Sequence, residues 1–510
     1  MPHLISHIPH WSLWLLLCLF CGGVLAHSAS LPLLEGSDED LHYVYVEYLR
    51  AYRALPGRAD RANSPLKQQS GQPPLTYLAA AAVAEALRLP RLEDLTTVYT
   101  RLGVAWNPWN TPWNTWNPLD NHNFYYETGA ADPDIARALC TLRLVSLGWG
   151  VLAVAAAYGA ARTVFAARRW ALAAAAVFAF WPTFLHSASY LNNDVSATAL
   201  ATLALWAALR ARTSTGGAAW VGWLVALGGL AKVNALLIAP ACALALALPP
   251  TAPPRQRLVR LVAFGLPIVA FFGAWAGWGW LSFGDPLGLA THNRPGFFYD
   301  PPLMIWQVGP QLSQVYLSYL GRFALSIYLP PPVYTAVGLW LLLALAGWLH
   351  GWRSVLAVQR VPALVLALAG VLMFAGLLRW MTTLPAIPGR LLLPAHLAYM
   401  LALVGGLRLL AARLPAWDAA LRLGVVGCVA GAGLGFGWLA VQSAFRAPDV
   451  LDAAPPVLVG TPRDFDGAVR FLGARLETPG LEGDRFAVTV CWQVLRLPMR
   501  EPAYTLKLIG

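Results

Sequence analysis

The sequence predicts an all-α polytopic membrane protein of about eleven transmembrane helices, with a short β-rich extracytoplasmic tail. Three observations carry this. The 510 residues are 58% hydrophobic and only 12% charged, with mean hydropathy +0.54, about half the charge of an ordinary soluble domain. The apolar residues fall in blocks of spanning length. The basic residues gather in alternate short loops, the positive-inside pattern. A net charge of +11 does not mark a nucleic-acid protein, because Lys and Arg are not clustered as such a footprint requires. The six cysteines give no disulfide framework. Cys18, Cys21, Cys140, Cys242 and Cys428 lie in apolar segments, and Cys491 is alone in the tail. The CxxC spacing of Cys18 and Cys21 reads as small apolar residues in a lipid-facing run.

The first block, 11–34, has the length of a signal peptide, with Val24-Leu25-Ala26 as a weak cleavage site. No Lys or Arg precedes it and more spans follow, so a retained first helix is expected. The remaining blocks are 135–158, 170–190, 194–211, 218–231, 234–249, 258–281, 331–350, 357–379, 390–411 and 420–442. The blocks 218–231 and 234–249 are short, so a tight hairpin or half-helices buried among neighbours are expected there. Arg162, Arg168 and Arg169 share one loop; Arg210 and Arg212 another; then Arg255, Arg257 and Arg260; Arg353 and Arg360; and Arg408, Arg413 and Arg422. These loops belong to the cytoplasmic side. The segment 35–134, the turns at Leu191–Asp194 and Lys232, the loops 282–330 and 380–389, and the tail then lie outside.

The chain divides into a transmembrane domain, 1–443, and a tail, 444–510. In the first outer loop, 35–134, Leu41, Tyr45, Tyr48, Leu49 and Tyr52 repeat at helical spacing, which predicts an amphipathic helix on the membrane surface. Pro73-Pro74 opens a second apolar stretch to Leu89. Residues 106–118, WNPWNTPWNTWNP, make turns; they suit either stacking on sugar rings or a low-complexity loop expansion, and the near-repeat favours expansion. In the tail, Val469–Leu476, Phe486–Leu495 and Tyr504–Ile509 read as strands, with Val488, Val490 and Trp492 on one face. Three strands are a meagre sheet, so an incomplete sandwich is expected.

Carboxylates where a span meets water are costly and suggest function. Asp38, Glu39 and Asp40 follow the first span, with His42 close behind. An N-cap accounts for one of these residues but not for the group, so a catalytic or metal-binding role is preferred. Asn192, Asn193 and Asp194 lie in a turn on the same side, where Asp194 suits a helix cap. Lys232, between two short apolar blocks, either snorkels to the interface or binds an anion. Arg390 begins a span after Pro388-Gly389. A cation there opposes the helix dipole, so it is either an interfacial arginine or the seat of an anionic partner. Arg322 and Arg379 are weaker candidates of the same kind. Carboxylates suit a general base or a divalent metal, and cations beside them suit a phosphate. Chemistry on a lipid-linked phosphate needs both at that boundary.

These residues resemble those of the GT-C superfamily of membrane glycosyltransferases, in the branch of protein O-mannosyltransferases and bacterial aminoarabinose transferases, over most of 11–443. The branch's Asp-Glu-Pro-x-His matches Asp38, Glu39 and His42, with Asp40 in place of proline. Gln72-Pro73-Pro74-Leu75-Thr76-Tyr77 is similar to its Gln-Pro-Pro-Leu-Tyr-Tyr, and Asn192-Asn193-Asp194 to its Asn-Asn-Asp turn. Gly229-Leu230-Ala231-Lys232 is similar to Gly-Leu-x-x-Lys, one residue shorter. Gly389-Arg390-Leu391-Leu392-Leu393-Pro394 is similar to Gly-Arg-Tyr-Leu-x-Pro, with Leu391 for tyrosine. The tail around Trp492 looks like the start of a β-sandwich found in some members.

The resemblance implies inverting transfer of a sugar from a polyprenyl-phosphate donor to a hydroxyl of a protein, lipid or glycan at the outer face of the cell membrane. Asp38 would be the base, with Glu39 and His42 orienting it, or Asp38 and Glu39 holding a divalent metal. Lys232 and Arg390 would neutralise the leaving phosphate, and Asn193 and Asp194 would support the site. Two alternatives remain at this point. A transporter or flippase of lipid-linked sugars would also have many spans and buried charge, but internal repeats are expected of it and none is evident. An inactive homologue that only binds lipid-linked sugar is the other.

Overall fold

The computed structural model describes residues 11–57, 65–106, 124–126, 131–211, 214–248, 253–289, 299, 301–323, 327–384, 389–445, 462–465, 469–477 and 487–494. The chain forms two compact units, Met1–Phe445 and Arg446–Gly510.

The first unit is mostly helical and polytopic. Seven helices among the described residues are long and apolar enough to cross a membrane: Trp11–Ser30 (α1), Pro133–Val164, Pro254–Phe283, Pro331–Ala357, Gln359–Met381, Gly389–Arg413 and Pro415–Ala444. The expected count of about eleven is therefore too high as a count of full-length spans. The other four blocks are helical but short: Arg168–Phe180, Asp194–Arg210, Thr215–Ala231, and a 3₁₀ turn Val233–Ile238 running into Ala239–Ala247. At 1.5 Å per residue, helices of 13 to 17 residues reach about 20–25 Å, less than a hydrocarbon core of about 30 Å. Their stops are explicit in the chain: Pro182 opens a new short helix, and Asn192-Asn193 and Lys232 break the next runs. Arg168–Phe180 and Asp194–Arg210 are buried along almost their whole length. Neighbouring protein, rather than lipid, covers them, which is what makes sub-spanning length tolerable.

The long helices pack around these inner ones. The chain reverses at Gln359, whose backbone leaves helical values (φ −127°, ψ 36°) shortly before Pro362. Trp348 Nε1 donates to Ala402 O at 2.7 Å, and Tyr399 Oη donates to Gly370 O at 2.8 Å. The two arms thus run in opposite senses along Gly389–Arg413. Close approach is allowed by Gly347 and Gly406, where a Cβ would overlap the facing backbone, as at small-residue contacts between membrane helices generally.

The two ends of the bundle differ in charge. At one end Trp170 Nε1 donates to Asp418 at 3.1 Å, Arg169 and Arg422 flank the same carboxylate, Arg408 lies over Phe165, and Gln359 Nε2 donates to Val164 O. The other end carries Asp38, Asp194, Lys232 and Arg390. Segregation of this kind is what the alternating basic loops predict.

The described part of 35–134 has its own core. Helix α2, Glu39–Tyr52, was expected to float on the membrane surface, but every residue from Glu39 to Arg50 is buried. Tyr43, Val44 and Val46 extend its apolar surface beyond one stripe, and it packs with α3, Leu75–Ala86, the segment around Leu92–Val104 and the start of Pro133–Val164. Arg50 ties this core, donating to Glu47, Glu85 and the carbonyls of Leu89 and Pro90. A two-stranded ladder pairs Val104–Trp106 (β1) with Phe124–Tyr126 (β2). The tryptophan-asparagine stretch beyond Trp106 lies outside the described residues. A second ladder, Arg322–Phe323 (β3) with Ile327–Tyr328 (β4), is two residues long.

The second unit contains an antiparallel sheet of Arg463–Phe465 (β5), Val469–Glu477 (β6) and Ala487–Val494 (β7). Phe471 pairs with Trp492 and Leu476 with Val488, with a bulge at Gly473, which has φ 144°. The first strand was not foreseen, since it is short and carries two charges. Tyr504–Ile509 lies outside the described residues.

Candidate functional site

Arg143 sets the position of the site. It lies on Pro133–Val164, buried at 3% exposure, and uses all its guanidinium donors. Nε and Nη2 form a fork on Glu39 at 2.7 and 2.8 Å. Nη1 donates to Ser28 O and Leu31 O, and Nη2 to Pro32 O. The chain leaving α1 is thereby stapled to a second membrane helix. Glu39 Oε1 also accepts from Leu191 N at 3.2 Å, and Oε2 from Gly36 N at 3.4 Å. This carboxylate joins three parts of the scaffold.

Asp38 faces different partners. It occupies the N-cap position of α2 in the left-handed region (φ 58°, ψ 18°), yet its side chain makes no capping bond. It accepts from Gln68 Nε2 at 3.0 Å and from Arg390 Nη2. Arg390 Nη1 donates to Ser37 O at 3.3 Å and lies 3.6 Å from Asp194 Oδ2. Asp194 Oδ1 accepts from Lys232 Nζ at 2.6 Å. Asp38, Arg390, Asp194 and Lys232 therefore form one chain of alternating charge, drawn from four separate segments.

Local backbone explains each placement. Asn192 Oδ1 caps the helix Asp194–Arg210, accepting from the amides of Asp194 and Val195 at 2.9 and 3.2 Å. The expected capping role of Asp194 thus falls to Asn192, and the Asp194 carboxylate is left for the cations. Lys232 is extended (φ −158°, ψ 130°) where Thr215–Ala231 stops, so its side chain projects from a break rather than from a helix wall. Arg390 sits in the 3₁₀ turn Gly389–Ala395. That turn is tied to Ser318 through Gly389 N, and to Asn234 through Leu391 O. Gly389 lies so close to the Ser318–Tyr319 backbone that a Cβ would overlap it. Arg322 and Arg379 do not join the cluster: Arg322 lies over Tyr328, and Arg379 donates to Thr382.

Burial alone would raise the Asp38 carboxyl, but the Arg390 guanidinium outweighs it and holds the group at about 2. Asp38 is therefore ionised at neutral pH. His42 is pushed the other way: burial, against the pull of Asp38, lowers it to about 3, so its imidazole is neutral. Its Nδ1 lies 2.9 Å from Tyr77 Oη, which also accepts from Asn193 Nδ2 at 3.2 Å. The Tyr77 proton then belongs to His42 Nδ1, which assigns the Nε2–H tautomer. Tyr45 stacks on Tyr77 at 4.1 Å and fixes that ring.

Asp40, adjacent in sequence, belongs to another environment. It is buried and accepts from Tyr99 Oη at 2.8 Å. Burial lifts its carboxyl to about 6, with the Tyr99 bond opposing and Asp38 adding to the rise. A carboxyl raised on folding binds protons that the unfolded chain has already released, so stability falls as pH climbs from about 4 to 6. Asp40→Asn should remove that slope and stabilise the protein at neutral pH by about 3 kcal/mol, the equivalent of two pKa units. Thermal unfolding in detergent from pH 4 to 8 checks this; an unchanged slope would reject the assignment.

Asp38 and Glu39 do not fit a shared divalent cation. Asp38 stands in the left-handed region just before α2 and Glu39 opens the helix, and the two carboxylates already meet different guanidinium groups. Among the described residues no three His, Cys, Asp or Glu side chains converge as a metal site would require. The sequence reading missed Arg143, Gln68 and Ser37, and it quoted Tyr77 within the Gln72–Tyr77 motif without giving it a role. Arg143 had a signal, a lone cation inside an apolar span. Gln68 and Ser37 had none.

Over most of its length the chain is similar to proteins of known structure, at low identity. One is ArnT from Cupriavidus metallidurans, solved bound to undecaprenyl phosphate, at 13% identity and TM-score 0.49, covering 84% of this chain and 76% of that one. Another is the Archaeoglobus fulgidus oligosaccharyltransferase. Its complex with Zn and sulfate gives 15% identity and TM-score 0.43 over 84% of this chain, which spans about half (54%) of that protein's length. Its apo form gives 14% identity and TM-score 0.46, covering 87% and 57%. No protein-family model and no curated protein matches the chain. The chemistry has to come from this chain's own residues.

Proposed function

We propose that this protein transfers a sugar from a polyprenyl-phosphate donor to an acceptor hydroxyl, with inversion at the anomeric carbon. The observation that supports the reading best is the Asp38–Arg390–Asp194–Lys232 chain at one end of a membrane bundle. It puts a candidate base against two candidate phosphate ligands.

In this reading the donor phosphate enters from the bilayer and draws Arg390 and Lys232 to its oxygens. Arg390 then releases Asp38, whose carboxyl rises toward its ordinary range and becomes a better proton acceptor. Asp38 takes the acceptor's hydroxyl proton as that oxygen bonds to the anomeric carbon. The bond from carbon to phosphate oxygen breaks, and polyprenyl phosphate leaves with the electron pair, its added charge met by the two cations. His42, neutral and held by Tyr77, lies near enough to feel the Asp38 charge. Glu39 contributes by holding the loop with Arg143. The positive-inside pattern assigns the basic end to the cytoplasm and the site to the opposite face. A flippase would need polar groups along a path across the membrane, whereas these charges gather at one end.

The test is release of polyprenyl phosphate by purified protein from a panel of polyprenyl-phosphate sugars. Arg390→Leu should weaken donor binding by roughly ten- to a hundredfold, as for loss of a charge-assisted hydrogen bond. No release from any donor, together with wild-type donor affinity in Arg390→Leu, would reject the proposal.

A further inference from the structure

The site contains buried acceptor oxygens that no donor among the described residues meets. Asn193 Oδ1, Asp194 Oδ2 and Asn234 Oδ1 are all buried without a hydrogen-bond partner among the described residues. Asn193 and Asp194 are 1% and 0% exposed. The amide orientations follow from the other ends: Asn193 Nδ2 faces Gln72 Oε1 and Tyr77 Oη, and Asn234 Nδ2 faces Leu391 O. In both, the oxygen is the free atom. Arg390 Nη1 is 3.6 Å from Asp194 Oδ2, too long for a hydrogen bond. Buried polar atoms are normally satisfied; Asn193 and Asp194 share the turn that opens Asp194–Arg210, and Asn234 lies two residues beyond Lys232.

We infer that Asn193 Oδ1 and Asp194 Oδ2 form a subsite that reads hydroxyl groups of an uncharged sugar. This rests on the transferase reading above and names its substrate class. Unmet acceptors call for a ligand that donates hydrogen bonds, which an anion cannot do. A sugar hydroxyl and an ammonium both donate. Lys232 Nζ already sits 2.6 Å from Asp194 Oδ1, with Arg390 beside Oδ2. A third cation would be pressed against two others, so the ammonium of an amino sugar is disfavoured and a neutral hydroxyl is not. Tyr77 is the positioning residue: with Gln72 it holds the amide so that Oδ1 stays turned away from them.

The experiment compares four lipids on purified protein: bare polyprenyl phosphate, its neutral hexose form, monodeoxy versions of that hexose, and an amino-pentose form. The hexose form should bind about tenfold tighter than the bare lipid, the scale of a well-made hydrogen bond. At least one deoxy version should lose that gain, and the amino-pentose form should bind no tighter than the bare lipid. Asn193→Leu should bring the ratio of hexose to bare lipid near one. Equal binding of the hexose and all its deoxy versions by wild type overturns the subsite while leaving the transferase reading intact; so does a ratio unchanged in Asn193→Leu. Should that variant fail to fold, the deoxy series on wild type decides alone. Failure of even bare polyprenyl phosphate to bind wild type removes the transferase reading, and the subsite with it.

Discussion

Asp38→Asn is expected to lower sugar transfer by about a hundred- to ten-thousandfold, the usual worth of a positioned general base, while donor affinity stays the same or improves. The two effects have one cause. Asp38 holds Arg390, so in the proposed mechanism it competes with the donor phosphate for that guanidinium. An amide removes the base and also ends the competition. The substitution is conservative in backbone terms, because Asp38 lies at φ 58° and asparagine tolerates that region better than most residues. Asp38→Ala would add turn strain and blur the result. Initial rates and donor binding on the same preparation check the expectation. Transfer near the wild-type rate would remove Asp38 as the base.

The second large effect is structural. Arg143→Met leaves the Glu39 carboxylate buried at 0% exposure and three backbone carbonyls without their donor. Breaking a buried pair from one side costs about 3–5 kcal/mol. The thermal midpoint should fall sharply, and activity with it, since Asp38 follows directly on the stapled segment. Arg143→Met combined with Glu39→Leu should recover much of the stability, because no charge is then left buried alone. Measurable transfer by that double variant would make Glu39 a scaffold residue. Stability recovered with no activity would return it to the chemistry. An unchanged midpoint in Arg143→Met alone would contradict the geometry.

The parts of this site legible in the sequence were those that are expensive where they stand. Asp38, Asp194, Lys232 and Arg390 each stand at or just beyond the edge of an apolar block, and a charge at a membrane boundary stands out. Arg143 is as costly, but it sits within a block whose average is apolar, and averaging hid it. Asp38 and Glu39 adjoin in sequence yet meet different guanidinium groups, Arg390 and Arg143, each more than a hundred residues away, and sequence gives no sign of either pairing. Span counting failed for a related reason. Hydropathy does not distinguish a helix facing lipid from one wrapped in protein, and Asp194–Arg210 is of the second kind. The surface helix expected over 38–55 was misjudged because its spacing marked one apolar face, while Tyr43, Val44 and Val46 fill a core on the other. The order of the helical blocks, by contrast, was readable throughout the first unit, because each is set by long runs and plain stops.

The four-residue charge chain is balanced, two carboxylates against two cations. A balanced cluster projects little field into bulk water and does little to gather dissolved anions from a distance. A substrate tethered in the bilayer has no need of such steering. Under the proposed function the donor would arrive by sliding along the surface, already at the right depth, and would have only to displace one carboxylate at close range. Dissolved phosphates and nucleotides must reach the same cations without attraction on the way and without a lipid to hold them there. Electrical silence at rest thus acts as a filter that favours ligands by where they live rather than by how strongly they are charged.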